Sequence, residues 1–210
     1  MDASRLRLYL VADPDLVDGC LTSVVSAAID GGVTCVQLRV KSGSDRPFEV
    51  RGLEIAEICR RTGTLFLVND RLDIALAVGA DGVHLGVNDL SIEAARRLGG
   101  DAFVIGCSPE TDGQAERAAA RGADYLGVGP VYGTTSKDDA GDAIGIDTLS
   151  RRARLSGIPT IGIGGITTLN AVEVIAAGAS GIAVMSAILR SEDAESAAQA
   201  LANAIDATRT

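Results

Sequence analysis

The sequence predicts a single-domain α/β protein of the (β/α)8 TIM-barrel class, and three observations support this fold. Apolar runs of strand length alternate with helical patterns along all 210 residues, giving eight of each. The predicted strands are almost continuously apolar, which is typical of parallel sheets covered on both faces. A similar unit, made of a helix end, a glycine stop and a strand, recurs at residues 77–86, 120–129 and 176–185.

The elements follow in order along the chain. Each helix is taken to end at a glycine or shortly before the next apolar run. In the second predicted helix we expect Leu53, Ala56 and Ile58 to face inward. The strands are predicted at residues 6–12, 33–40, 65–68, 82–86, 103–107, 125–128, 160–163 and 181–185, and the helices at 16–30, 46–62, a short segment ending at Gly79, 91–98, 110–121, 146–155, 169–177 and 194–207.

The whole chain, residues 1–210, is predicted to form one catalytic domain. A doubly wound open sheet is the alternative, but that fold usually has fewer strands and a GxGxxG turn after the first one. The sequence has no such turn. The chain also offers no linker at which a second domain would begin.

Composition limits the class of function. The net charge of −9 argues against a nucleic-acid-binding surface. No apolar run reaches 18 residues and no leader pattern is present, so we expect a soluble, cytoplasmic protein without membrane contact. Four cysteines without CxxC spacing indicate free thiols, three of them buried, in a reducing compartment.

Two predicted strands end in Asn-Asp pairs. Asn69 and Asp70 follow the third strand, and Asn88 and Asp89 follow the fourth. The carboxyl ends of parallel strands face one crevice, where two carboxylates would repel each other unless they shared a hard cation such as Mg²⁺. Asp is also a favoured helix N-cap, and for this stretch alone capping is the simpler interpretation.

Candidate anion-binding groups follow other strands. Gln37, Arg39 and Lys41 alternate along the second strand, so they can converge on a phosphate or pyrophosphate, although a solvated strand end would look the same. The loop at residues 129–145 contains Thr134, Thr135, Ser136 and Lys137, which fit a phosphate-bearing substrate or simply a mobile surface loop.

A second anion site is predicted after strands seven and eight. The glycines of GIGGI, at residues 162–166, allow close approach of backbone N–H groups, and Met185-Ser186 follow strand eight. Tight-turn glycines are the alternative. The lone histidine, His84, is interpreted as a satisfied interior residue rather than an acid or base. Two carboxylates, several cations and two anion sites suggest a reaction at a diphosphate leaving group.

Four longer motifs together resemble the thiamine-phosphate synthase family: GGVTCVQLRVK (31–41), LVNDRLDIALAVGADGVHLG (67–86), GADYLGVGPVYGTTSKDDAG (122–141) and IGIGGITTLNAVEVIAAGASGIAVMSAI (161–188). The resemblance implies an enzyme that joins a hydroxymethylpyrimidine diphosphate to a thiazole phosphate, or to its carboxylated form. The products would be thiamine phosphate and pyrophosphate. It further implies Mg²⁺ as cofactor and makes a homodimer plausible.

The resemblance also implies roles for single residues. The diphosphate leaving group would be neutralised by Arg39, Lys41 and Lys137, with Ser108 as a further catalytic contact. By motif, Gln37, Arg39 and Lys41 resemble the diphosphate cradle; Asn69, Ser108 and Lys137 resemble further contacts to that substrate; Asp70 and Asp89 resemble the Mg²⁺ ligands; and Thr134, Ser136, Gly165, Met185 and Ser186 resemble the thiazole-phosphate contacts.

The chain departs from the family pattern at three positions. Val87 stands where Gln is usual, Glu110 where His is common, and Gly133 where Pro is usual. Three other functions remain open: a thiazole tautomerase-like isomerase, a non-catalytic sensor of thiamine phosphates, and another phosphate-binding barrel enzyme such as an indole-forming synthase. Retention of Asp70, Asp89, Lys41 and Lys137 together argues against the first. A sensor would not need the metal carboxylates, and that alternative stays open. A shortage of acid–base residues argues against the third.

Overall fold

The computed structural model describes residues 1–134 and 141–207. Eight parallel strands pair in chain order, and β1 also pairs with β8, so the sheet closes into a barrel as predicted. The strands are β1 Leu8–Ala12, β2 Cys35–Leu38, β3 Leu65–Asn69, β4 Gly82–Leu85, β5 Val104–Cys107, β6 Tyr125–Val128, β7 Thr160–Ile163 and β8 Gly181–Val184.

Helices surround the barrel, and most connect one strand to the next. Three of the α-helices have a side-chain N-cap, and one of these caps is the capping box of Thr111 and Gln114. The α-helices are α1 Leu21–Asp30, α2 Asp45–Thr62, α3 Leu72–Ala77, α4 Ile92–Gly99, α5 Asp112–Arg121, α6 Ile146–Ser156, α7 Ala171–Ala176, α8 Ser186–Leu189 and α9 Ala194–Asp206.

The core has two layers. One lies between the strands and the helices and is built from Ala, Val, Ile and Leu with Phe66, Phe48 and Phe103. The other fills the barrel interior and includes two fully buried tyrosines, Tyr9 and Tyr125. The barrel is therefore packed rather than open, and the space for ligands lies at its ends.

Four details differ from the sequence predictions. The first helix begins at Leu21, because a 3₁₀ helix at Pro14–Leu16 and an irregular turn precede it. The first strand begins at Leu8, after a 3₁₀ helix. The short helix α8 was not predicted. Leu53 is 48% exposed, and α2 instead buries the face that contains Phe48, Gly52, Ile55 and Cys59.

The prediction of free thiols, three of them buried, is confirmed. The buried ones are Cys35, Cys59 and Cys107, whereas Cys20 is exposed. In the part of the chain that the structure describes, no helix is both long enough and apolar enough to cross a bilayer.

Candidate active site

Two adjoining cavities open at the carboxyl ends of the strands. The larger has a volume of about 590 Å³ and the smaller about 150 Å³. Both are lined by Gly86, Ser108, Ile163 and Ala183, so they share a wall across the mouth of the barrel. Two ligands bound there would touch each other, which suits a reaction between two substrates.

The smaller cavity collects the polar side chains of β2, β3 and β4. Gln37, Arg39 and Lys41 all line it, which confirms that these three residues converge. Arg39 forms an ion pair with Asp13, and both residues are almost fully buried. Lys41 Nζ lies 2.7 Å from Asp70 Oδ2 and remains largely exposed. The cavity thus presents one buried and one exposed cation, each paired with an aspartate.

Asp70 and Asp89 form a carboxylate pair beside this cavity. Asp70 is the one non-glycine residue with positive φ (62°) in the described chain, and its amide donates to the His84 carbonyl. Asp89 Oδ2 accepts a 2.7 Å hydrogen bond from the Gly86 amide. Asp89 does not line the smaller cavity itself but lies next to it, in the loop after β4.

The two carboxyl groups influence each other's ionisation. Burial raises the pKa of Asp89; the Gly86 amide opposes this, and the neighbouring Asp70 carboxylate raises it further. Burial opposes ionisation of Asp70 as well, but hydrogen bonds with Lys41 and with Asp89 outweigh it, so the pKa of Asp70 is lowered. Asp70 is therefore the more readily ionised of the two carboxyl groups, and a bound cation would favour ionisation of both.

Neither aspartate caps a helix, so the capping interpretation is wrong. Arg71 precedes α3, and no side chain caps that helix. Helix α4 is capped by Ser91, whose Oγ accepts from the Ala94 amide at 3.3 Å. Instead, Asp70 accepts a hydrogen bond from Lys41, Asp89 accepts one from the Gly86 amide, and the two carboxyl groups contact each other.

The donor set fits a divalent cation that prefers oxygen. Residues 1–134 and 141–207 contain no group of three or more acidic, histidine or cysteine side chains arranged to hold a metal. Mg²⁺, however, is usually bound by only one or two carboxylates, with water and substrate phosphates completing its shell. Asp70 and Asp89 meet that requirement.

The larger cavity is lined by the loops after β6, β7 and β8. Gly164 and Gly165 adopt φ of 95° and 65°, which side-chain-bearing residues rarely tolerate. A Cβ on Gly165 would lie 2.6 Å from the Gly133 carbonyl oxygen. These glycines therefore serve the tight packing of the two loops, and they also line the cavity. The predicted residues that line it are Ser108, Thr134, Gly165, Met185 and Ser186.

Arg152 from α6 lines the larger cavity and supports the β5–α5 loop, and the sequence analysis missed it. Its guanidinium donates to the carbonyls of Pro109 (2.9 Å) and Glu110 (2.6 Å), and to Asp112 at 3.2 Å. The side chain is 9% exposed. A buried arginine in a helix carries no sequence signal that distinguishes it from a solvated one.

The barrel interior contains a continuous chain of side-chain hydrogen bonds. Gln37 Nε2 donates to the Tyr9 hydroxyl at 2.6 Å, and the two tyrosine hydroxyls lie 2.9 Å apart. Tyr125 Oη lies 2.8 Å from His84 Nδ1, and His84 Nε2 lies 2.8 Å from Ser108 Oγ. His84 is thus a satisfied interior residue, as predicted, and it also lines the smaller cavity.

The remaining predicted residues are placed as follows. Asn69 is buried and lines the smaller cavity. Val87 and Glu110, two of the departures from the family pattern, line the larger one. Among residues 1–134 and 141–207, nothing lies within 4 Å of a Cβ built on Gly133. Thr135, Ser136 and Lys137 lie outside the described residues.

Comparison with known proteins gives a consistent result. The family model described as thiamine monophosphate synthase matches residues 8–188. A thiamine-phosphate synthase of Chloroflexus aurantiacus is 45% identical over 97% of this chain and 94% of its own length. One from Haloarcula marismortui is 45% identical over 96% of this chain and 98% of its own.

Solved structures agree in fold. A thiamine phosphate pyrophosphorylase from Pyrococcus furiosus superimposes with a TM-score of 0.90 at 36% identity, over 99% of both chains. A 3-hexulose-6-phosphate synthase also superimposes, with a TM-score of 0.70, over 95% of this chain and 99% of the other. At 16% identity, that second match concerns the fold alone.

Proposed function

This chain belongs to the thiamine monophosphate synthase family, and from that premise we propose how its two cavities divide the reaction. The chain is a thiamine-phosphate synthase. It condenses hydroxymethylpyrimidine diphosphate with a thiazole phosphate to give thiamine phosphate and pyrophosphate. The contact between the cavities at Ser108 and Gly86 is the observation that best supports this division, because the two reacting carbon and nitrogen atoms must meet at one point.

The smaller cavity binds the diphosphate of the pyrimidine substrate in this proposal. Arg39 is held in place by Asp13, so its guanidinium is oriented before the ligand arrives. Lys41 is exposed and free to turn from Asp70 toward the incoming phosphates. Gln37 and Asn69 complete the polar wall. Lys137, carried over from the family motif, would supply a third cation.

Asp70 and Asp89 would hold Mg²⁺ against the same diphosphate. When bound, the ion supplies charge neutralisation for the departing pyrophosphate. The pairing of a raised and a lowered carboxyl pKa supports this assignment, because two close carboxylates are costly to keep ionised without a cation. Displacement of Lys41 from Asp70 would make that carboxylate available.

The larger cavity binds the thiazole phosphate in this proposal. Its volume of about 590 Å³ is in the range of small-molecule sites. The loops at Gly165, Met185 and Ser186 offer backbone and hydroxyl groups for the phosphate, with Thr134 on the opposite wall. Ser136 would contribute from the segment outside the described residues.

Catalysis then requires positioning and charge stabilisation, and no protein nucleophile. Arg39, Lys41 and Lys137 stabilise the negative charge that develops on the leaving pyrophosphate. The aminopyrimidine that remains is a resonance-stabilised cation, and the thiazole nitrogen, held by its own phosphate, attacks it. The shared wall of the two cavities keeps the reacting atoms close and limits access of water.

The test is pyrophosphate release from the purified protein. We expect release only when both substrates and Mg²⁺ are present. Release with one substrate would indicate hydrolysis rather than condensation. Tight binding of the thiazole phosphate without any release would instead favour the tautomerase-like or sensor function. Equal release with and without the metal would contradict the assignment of Asp70 and Asp89.

A further inference from the structure

The interior hydrogen-bond chain connects two cavity-lining groups, Gln37 and Ser108, through three residues that have no role in the reaction as described. Tyr9, Tyr125 and His84 lie in β1, β6 and β4. The tyrosines are fully buried, and burial raises the pKa of both phenols well above the usual value. Each tyrosine therefore keeps its single proton and has exactly one hydrogen to donate.

The direction of the bonds follows from the Gln37 amide once the Tyr9 hydrogen is placed. The Gln37 Nε2 group can only donate, so the Tyr9 oxygen accepts from it. The Tyr9 hydroxyl also contacts the Cys35 thiol, but sulfur is a weak acceptor, so we take the Tyr9 hydrogen to point to the Tyr125 oxygen 2.9 Å away. Tyr125 Oη accepts that hydrogen and must donate its own to His84 Nδ1. A neutral imidazole then has its hydrogen on Nε2, which donates to Ser108 Oγ. The Ser108 hydrogen is left to point into the cavity.

We propose that Tyr9, Tyr125 and His84 form a one-way hydrogen-bond chain that fixes Ser108 as a hydrogen-bond donor toward the substrate. The ligand atom that Ser108 recognises would then be an acceptor without a hydrogen, such as a ring nitrogen or a phosphate oxygen. This recognition step rests on the proposed function. The three interior residues are positioning residues, because they act on the substrate only through Ser108.

Two glycines on neighbouring strands support the view that this chain is a built feature. A Cβ on Gly106 would lie 2.2 Å from Tyr125 Cζ and 2.4 Å from its hydroxyl. A Cβ on Gly127 would lie 2.9 Å from His84 Cε1. Strands β5 and β6 thus have a glycine, and no interior side chain, at the positions that the Tyr125 and His84 rings occupy. Filling those positions with apolar side chains would have given a simpler core.

The reverse direction is the competing arrangement. If the Gln37 amide were rotated so that its oxygen faced Tyr9, every donor would become an acceptor. His84 would then have its hydrogen on Nδ1, and Ser108 would donate to the imidazole and accept from the substrate. A side-chain amide can present either its nitrogen or its oxygen to Tyr9, so the tautomer of His84 decides between the two directions.

His84 is the single histidine in the sequence, which makes that tautomer directly measurable. In untagged protein labelled with ¹⁵N-histidine, long-range ¹H–¹⁵N correlation spectra report the protonation of each ring nitrogen. At neutral pH, without substrate, we expect Nε2 of His84 to be protonated and Nδ1 to be unprotonated. A protonated Nδ1, or protons on both nitrogens, would overturn the proposal. The measurement needs no variant and no activity, so it stands apart from the proposed function.

Tyr125→Phe removes the donor to Nδ1 while keeping the buried ring. We expect the Nε2–H form to lose its dominance in this variant. Tyr132→Phe is the matched control, because the Tyr132 hydroxyl bonds to Glu173 outside the chain, and the spectrum of His84 should not change. An unchanged tautomer in folded Tyr125→Phe protein would contradict the role of Tyr125.

A double-mutant cycle tests the route through Ser108. We expect Tyr125→Phe to lower kcat/KM severalfold when Ser108 is present and to have no further effect in the Ser108→Ala background. Additive losses would mean that Tyr125 acts on the reaction by some other route, and would overturn its assignment as a positioning residue. Circular dichroism on all variants excludes loss of fold as the cause.

Discussion

At the scale of single residues, the surroundings of Asp89 indicate its role better than its residue type does. Its carboxylate accepts from the Gly86 amide, lies beside Asp70 and has a raised pKa because it is partly buried. An aspartate after a strand is equally common as a helix cap, and nothing in the local sequence separates the two uses. Only the parallel pairing of β3 with β4 places both carboxylates at one point.

Loss of either carboxylate should remove metal-dependent turnover. We expect Asp70→Asn and Asp89→Asn each to lower kcat on the order of a hundredfold or more, because the leaving pyrophosphate loses its counter-charge. Pyrophosphate release measured across a Mg²⁺ titration checks this. Asp101→Asn, on an exposed residue between α4 and β5 at the other end of the barrel, is the control. Wild-type turnover in either site variant at ordinary Mg²⁺ would refute the metal assignment.

The raised pKa of Asp89 gives a pH prediction with a definite sign. A protonated carboxyl group binds no cation, so Mg²⁺ affinity should fall on acidification at a higher pH than it would for an ordinary aspartate. Asp70→Asn removes a neighbouring negative charge and should lower the pKa of Asp89. Carbon-13 NMR of the Asp89 carboxyl in metal-free protein measures both effects. A wild-type pKa at or below the usual aspartate value would contradict this explanation.

At the scale of elements, loop positions depend on contacts that are distant in the sequence. Strands and most helices were predicted correctly because apolar runs and glycine stops are local signals. The face of α2 was mispredicted, since Leu53 lies in the apolar pattern yet is exposed. Helix α8 was missed because it has only four residues, too few to show a helical period, and is separated from β8 by a single residue. Arg152 was missed because its partners lie 40 or more residues away.

Arg152 should fix the β5–α5 loop that presents Ser108 and Glu110. Replacing Arg152 with Ala leaves two carbonyls without their charged donor, and we expect a loss of about 3 kcal/mol in the free energy of unfolding. Arg151→Ala is a matched control, because Arg151 pairs with the same Asp112 but is 47% exposed. That variant should cost less than about 1 kcal/mol. Urea unfolding of both variants provides the comparison.

The Arg152 variant should also affect binding of substrate. A loosened loop displaces Ser108 from the wall shared by the two cavities, so KM should rise for the substrates, while Arg151→Ala leaves it unchanged. Equal destabilisation by the two substitutions would show that burial of Arg152 is not what stabilises the loop. An unchanged KM in Arg152→Ala protein would show that the loop keeps its position without the arginine.

At the scale of the whole molecule, closure of the sheet creates the site. The fold class was predictable because the eight αβ units are each locally encoded. The interior chain from Gln37 to Ser108 was not, because Tyr9 and Tyr125 are 116 residues apart and nothing marks them as partners in the sequence. Likewise, the net charge of −9 gives no hint that cations converge at one end of the barrel. The homodimer implied by the family resemblance stays a prediction.

Closure itself depends on a glycine at the joint between the last strand and the first. Gly181 begins β8, and a Cβ there would lie 1.9 Å from the backbone oxygen of Leu6. Because backbone cannot move aside as a flexible side chain can, Gly181→Ala must shift β8 away from β1. We expect a loss of about 3 kcal/mol or more in the free energy of unfolding, and reduced activity, since β8 leads directly into Met185 and Ser186. Gly133→Ala, where the new methyl group meets no described residue within 4 Å, should change stability by no more than about 0.5 kcal/mol. The same urea midpoint for the two alanine variants would contradict this prediction, because it would show that a methyl group at position 181 can be accommodated between β8 and the backbone before β1.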